Sequence, residues 1–139
     1  MTLNVLDTVT LSDFEQGHPQ VMARILARPI AEIAITVITV EEQFAGRLSY
    51  LRRARATAEV AAAYLKMTNT VRVFTGFHVM TFSEAAILRY HSLLSMKLNV
   101  GGMDLKIAAI ALEEDATVIT RNVRDFERVP GLKYENWAD

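Results

Sequence analysis

The sequence predicts an α/β fold: one domain over residues 1–139, with a mainly parallel central sheet of about four or five short strands and helices on both faces. Three observations carry that prediction. Short apolar runs alternate with longer stretches of helical periodicity, the order that builds strand-helix-strand crossovers. Some of these runs end on an acidic or hydroxyl residue just where a helix begins. No repeat, low-complexity tract or linker divides the chain.

Residues 3–6 form an apolar run ending at Asp7, and with Thr8, Thr10 and Ser12 behind it the run reads as a buried strand entering a helix. His18-Pro19 opens a short helix over 20–27, closed by Arg28-Pro29. Residues 32–35 read as a second strand. Thr36 or Thr39 caps the helix that follows, with Val37, Val40, Phe44, Leu48 and Leu51 as its apolar stripe. The alanine-rich segment 55–67 is helical, and 78–82 is a weak strand. Ser83 caps a long helix over 84–98, broken by Asn99-Val100-Gly101-Gly102. A helix over 104–114 leads to a strand at 117–120. A short helix over 123–128 stops at Pro130-Gly131, and 132–134 adds a last short strand.

A chain of 139 residues can bury roughly 70% of the surface its unfolded form exposes. Hydrophobic residues at 51% and charged ones at 22% make a globular composition. Fifteen basic against sixteen acidic residues give a net charge of -1, so any nucleic-acid contact must be local. Cysteine is absent, which removes disulfides, thiolate zinc sites and cysteine nucleophiles and fits a reducing cytoplasm. The first residues lack the basic region and apolar core of a signal peptide. No stretch reaches the roughly 20 apolar residues of a membrane span, so a soluble cytoplasmic protein is expected.

In open parallel sheets the site lies beyond the carboxyl ends of the strands. Asp7 ends the first strand there, and Thr120, Asn122 and Asp125 follow a later one. Asp104 leads a helical stripe of Ile107, Ala108 and Ala111, which turns its carboxylate towards the interior. Helical periodicity does not choose Glu42, because Glu41 lies closer to the Val40, Phe44, Leu48 stripe. Taken singly, Asp104 and Asp125 are explained at least as well as helix-start caps, Thr39-Val40-Glu41-Glu42 matches a capping box, and Asn122 serves as an N-cap. Gathered in one cleft, the four carboxylates would repel each other unless a hard divalent cation sat among them, which points to a metal-dependent hydrolase. His18, His78 and His91 are too far apart for a local zinc pattern. Phe74, Phe77, Met80, Phe82, Leu93, Leu94 and Met96 read as core or subunit interface.

The segments Val5-Leu6-Asp7-Thr8, Ile38-Thr39-Val40-Glu41-Glu42-Gln43-Phe44-Ala45-Gly46, Gly102-Met103-Asp104-Leu105-Lys106-Ile107-Ala108-Ala109 and Thr120-Arg121-Asn122-Val123-Arg124-Asp125-Phe126 resemble the ordered motifs of the PIN-domain family. Within it the likeness is to VapC-type toxin ribonucleases of bacterial toxin-antitoxin pairs, and it extends to the Pro130-Gly131-Leu132 and Asn136-Trp137 tail.

The resemblance implies that Asp7, Glu42, Asp104 and Asp125 are catalytic metal-binding acids, with Thr8, Thr120 and Asn122 as polar support. It selects Glu42 because the family's acid stands four residues before the glycine, here Gly46. It implies an endoribonuclease that hydrolyses phosphodiester bonds with Mg²⁺ or Mn²⁺ and a metal-activated water, as a homodimer held by a cognate antitoxin. Arg47, Arg52, Lys106, Arg121 and Arg124 are the candidate RNA contacts, with Arg53 and Arg55 in the same basic run. A solvated helix face explains that run equally well, and Lys106 and Arg124 would also offset carboxylate repulsion. Val9 stands where many relatives carry asparagine, and valine cannot hydrogen-bond a carboxylate. The alternative is therefore a catalytically weakened PIN-like module that holds RNA or protein. A receiver-like phosphotransfer domain lacks the paired aspartates it would need.

Overall fold

In the computed structural model, which describes residues 2–139, five strands form one wholly parallel sheet. The strands are β1 (Asn4–Leu6), β2 (Ile33–Thr36), β3 (His78–Met80), β4 (Thr117–Ile119) and β5 (Lys133–Glu135), in the spatial order β3-β2-β1-β4-β5. Helices α1 (Thr8–Glu15), α2 (Pro19–Leu26), α3 (Val37–Arg53), α4 (Thr57–Phe74), α5 (Glu84–Ser95), α6 (Gly102–Glu113) and α7 (Val123–Phe126) fill the crossovers.

β1 and β4 are buried at every position because both faces are covered. Alternation still decides which residue meets which layer. Val5, Ala34 and Val118 point into a core with α5, α6 and Phe126, while Leu6, Ile33, Ile35 and Ile119 point into one with α1, α2, Phe74 and Trp137. The chain runs outward from β1 to β2 and β3 with its helices on the second face, then returns across β1 to β4 with its helices on the first. A fixed crossover hand requires this change of face when the direction reverses. The reversal leaves a crevice between the carboxyl ends of β1 and β4, the topological switch point of the sheet.

Two helix ends and one helix face differ most from the sequence expectation. Helix α4 runs on to Phe74, not to 67, because Thr70 is buried against α3 and Phe74 packs edge-on against Phe44 at 5.6 Å. Helix α5 stops at Ser95, not at 98, where Lys97 turns to φ 54°. In α3 the buried residues are Ile38, Thr39 and Gln43, whereas Leu48, expected in the stripe, is 41% exposed. The carboxyl-terminal tail closes the second core: Trp137 is buried beneath the Arg28 guanidinium at 4.1 Å, and Arg24 donates to the carbonyls of Asn136 and Asp139. Among the described residues no helix is long and apolar enough to cross a membrane.

Candidate functional site

Asp7 follows the last residue of β1 and is the N-cap of α1, with its Oδ1 accepting the Thr10 amide at 2.9 Å. It is only 3% exposed, and burial raises its pKa above the ordinary aspartate value. The Thr120 hydroxyl and the Thr10 amide lower it in part, and the negative charge of Asp13 adds to the rise. A second link ties the same strands, since Thr10 Oγ1 donates to the Ile119 carbonyl at 3.0 Å. Capping is thus real at Asp7, but a cap alone would not need a carboxylate taken almost wholly out of water.

Asp104 stands in the first turn of α6, and Ile107, Ala108 and Ala111 behind it are fully buried, as helical spacing predicts. Its pKa is raised to about 6, first by burial and then by the charges of Asp7, Glu42 and Asp125, with an opposing contribution from the Asn122 side chain. Four acids drawn from four segments of the chain therefore share one electrostatic neighbourhood beyond the strand ends.

Glu42 lies one turn beyond Thr39 on the face of α3 that meets α1, where Thr8 Oγ1 donates to Glu42 Oε1 at 2.8 Å. The capping-box explanation does not hold for Glu42: α3 starts at Val37, and Thr36 is the N-cap that accepts the Thr39 amide. The cap explanation of Asp125 is likewise replaced. Its Oδ2 accepts from Asn122 Nδ2 at 2.8 Å and its Oδ1 from Arg128 Nη1 at 3.1 Å, so side chains hold it. Asn122 is itself anchored, with its amide N–H donating to Thr120 Oγ1 at 2.8 Å. As the N-cap of α7 its side chain accepts from no backbone amide of the helix.

Two residues near the acids escaped the sequence reading. Arg128, three residues after Asp125, was visible as a helical i,i+3 pair. Asp13 had no such signal, because only the fold brings Arg121 to within 3.4 Å of it. The basic candidates divide. Arg121 and Arg124 are exposed beside the cluster, and Lys106 lies over the Tyr90 ring at 5.6 Å. Arg47 spends its Nε on Thr70 Oγ1 at 2.9 Å, between α3 and α4. Arg52 is exposed ten residues beyond Glu42, roughly 15 Å along the helix axis. Val9 is 53% exposed and takes no part in the buried packing around Asp7.

Among the described residues no three His, Cys, Asp or Glu side chains converge closely enough to hold a metal ion as they stand. The acids couple through space without meeting at a point, as unscreened like charges would. Their chemistry fits a hard divalent cation: all four donors are carboxylates, and their mutual repulsion is the interaction a cation reverses. An apolar groove of about 320 Å³ between Phe14, Ile25, Leu26, Val73 and Phe77 contains none of the acids and is separate from this chemistry.

Comparison with known proteins agrees with the fold. Residues 5–132 match the PIN domain family model. A 40-residue segment, 29% of this chain, is 48% identical to Ribonuclease VapC2 of Rickettsia felis, and it spans 30% of that relative's length. The crystal structure of DNA-bound VapBC from Salmonella typhimurium superposes with a TM-score of 0.80 at 22% identity, over 99% of each chain. A toxin-antitoxin complex from Klebsiella pneumoniae superposes with a TM-score of 0.69 at 25% identity, over 93% of this chain and 94% of that one. With the five-stranded parallel sheet and a family match over residues 5–132, the chain belongs to the PIN domain family.

Proposed function

We propose that this protein is a Mg²⁺- or Mn²⁺-dependent endoribonuclease acting as the toxin of a VapBC-type toxin-antitoxin pair. The observation that carries this reading is Asp104, lifted to about 6 by burial and by Asp7, Glu42 and Asp125 together at the switch point of the sheet. The likeness to a ribonuclease of the VapC type supports the choice of RNA.

Asp7, Glu42, Asp104 and Asp125 would hold the cation. When bound, such an ion neutralises charge developing on a phosphodiester and lowers the pKa of water. The remaining residues orient and bind. Thr10 and Thr120 hold Asp7, Thr8 holds Glu42, and Asn122 with Arg128 holds Asp125. Arg121 and Arg124 would take substrate phosphates beside the acids, and Arg52 would meet the RNA further along its backbone. No serine, cysteine or histidine nucleophile is needed, because water attacks. Exposed Leu88, Leu94 and Met96 on and after α5 offer an uncovered apolar face for a homodimer, and the likeness to a toxin-antitoxin complex supports an antitoxin partner.

RNA cleavage with and without Mg²⁺ tests the reading. Wild-type protein is expected to cut RNA only with the ion, and Asp104→Asn and Asp7→Asn to lose cleavage by at least about 100-fold. Full Mg²⁺-dependent cleavage by either variant would overturn the assignment.

A further inference from the structure

Thr39 is fully buried in the first turn of α3, yet it holds no place in the capping scheme of its own helix beyond its amide. Its hydroxyl oxygen lies 3.0 Å from that of Thr8, and Thr8 in turn donates to Glu42 Oε1 at 2.8 Å. A hydroxyl has one hydrogen to give. The Thr8 proton goes to the carboxylate, so the bond between the two threonines runs from Thr39 to Thr8. The result is a directed chain, Thr39 to Thr8 to Glu42, whose two bonds polarise each other towards the carboxylate.

Two threonines elsewhere show what a helical hydroxyl does with no such task. Thr68 and Thr70 in α4 return theirs to the carbonyls of Tyr64 and Lys66, each four residues back and at 2.9 Å. Thr39 gives its proton across to α1 instead. Thr39 and Glu42 sit one turn apart on the same face of α3, and Thr8 from the other helix bridges them.

We infer that Thr39 is a positioning residue for Glu42: through Thr8 it fixes the carboxylate on the Asp104 side of the site, so that a divalent cation meets an oriented ligand. The inference rests on the metal-site reading above. Its loss would weaken metal binding by on the order of 10-fold, the lower end of what outer hydrogen-bond partners of metal ligands contribute.

The test is a Mn²⁺ titration of purified protein, with free ion read by electron paramagnetic resonance. It covers wild type, Thr39→Val, Thr39→Ser, Thr8→Val, Glu42→Gln and the Thr39→Val/Glu42→Gln double variant. Thr39→Val keeps the shape and removes the hydroxyl, and is expected to weaken Mn²⁺ binding about 10-fold. Thr39→Ser restores it, Thr8→Val copies Thr39→Val, and Thr39→Val costs nothing further once Glu42 is Gln. A merely structural threonine would lose the same factor in both backgrounds, and that result would overturn the inference. So would wild-type affinity in Thr39→Val or, should that variant fail to fold, in the half-buried Thr8→Val. Wild-type protein that binds no Mn²⁺ would overturn the metal-site reading and this inference with it, whereas normal wild-type binding unchanged by both valines overturns this inference alone.

Discussion

Asp7 and Asp104 form one half of the acid cluster, Glu42 and Asp125 the other, and the two halves are held in different ways. The first pair is placed by backbone: a strand end buries Asp7, a helix start half-buries Asp104, and both pKa values rise. The second pair is placed by side chains, Thr8 on Glu42 and Asn122 with Arg128 on Asp125. The first half is destabilised by its own ionisation, while the second is steered by neutral or cationic donors. If the four acids hold a cation as proposed, its arrival would relieve the first half of its charge repulsion and find the second half already held by donors.

The largest expected effect separates the halves by removing one acid at a time. Asp104→Asn should abolish Mg²⁺-dependent RNA cleavage and yet raise stability, by roughly 1–2 kcal/mol once the shift is discounted for partial exposure. Thermal unfolding without metal reads this as a midpoint a few degrees higher. Asp125→Asn should lower cleavage with no gain in stability, because it removes the negative partner of Arg128 and leaves that cation only the Asn99 carbonyl. Equal stabilisation by both variants would erase the distinction between the halves.

Next in size is metal itself. Added Mn²⁺ at 100 times its dissociation constant should stabilise wild-type protein by about 2.7 kcal/mol, and chelation should remove that gain. Asn122→Ala should then weaken cleavage by on the order of 10-fold, because Asp125 loses its amide donor and Asp104 a favourable neighbour. Steady-state kinetics should place most of that loss in metal dependence.

The smallest effect is on pH. The folded pKa of Asp104 lies above its unfolded value of 3.8, so between that value and about 6 the folded chain binds more protons than the unfolded one. Metal-free stability should therefore fall as pH rises through this window, and the cost is fully present at neutral pH. Metal affinity should run the other way and weaken below about pH 6. Unfolding midpoints of wild type and Asp104→Asn from pH 4 to pH 7 check the sign, since the variant should show a shallower slope, keeping only the share of the raised Asp7.

Strand-end placement singled out Asp7 and Asp125 in the sequence and helical spacing singled out Asp104, whereas neither chose Glu42. β1 runs directly into Asp7, and α6 carries Asp104 in the first turn ahead of its buried stripe, so local pattern and tertiary placement coincide at these two acids. Glu42 failed the periodicity test because α3 has two working faces. Val40 and Phe44 pack on the core with Phe74, while Thr39, Glu42 and Gln43 line the side that meets α1, and that side is polar. An apolar stripe cannot mark a polar face, so only the family resemblance singled out Glu42. Asp125 looked like a cap because it stands in the first turn of a short helix, whereas its actual partners, the Asn122 and Arg128 side chains, are settled only in the fold. The extension of α4 to Phe74 was hidden by a threonine-rich stretch of weak helix propensity, which the Arg47–Thr70 bond and the Phe44–Phe74 contact override.

The central claim is that four acids from separate elements form one divalent-cation site. Paired thermal unfolding of wild type and Asp104→Asn, each with and without Mn²⁺, tests it most directly. The account predicts a metal-free variant that melts above the metal-free wild type, and a Mn²⁺ shift that is large in the wild type and lost in the variant. A variant that melts lower without metal, or that keeps the full Mn²⁺ shift, would contradict it.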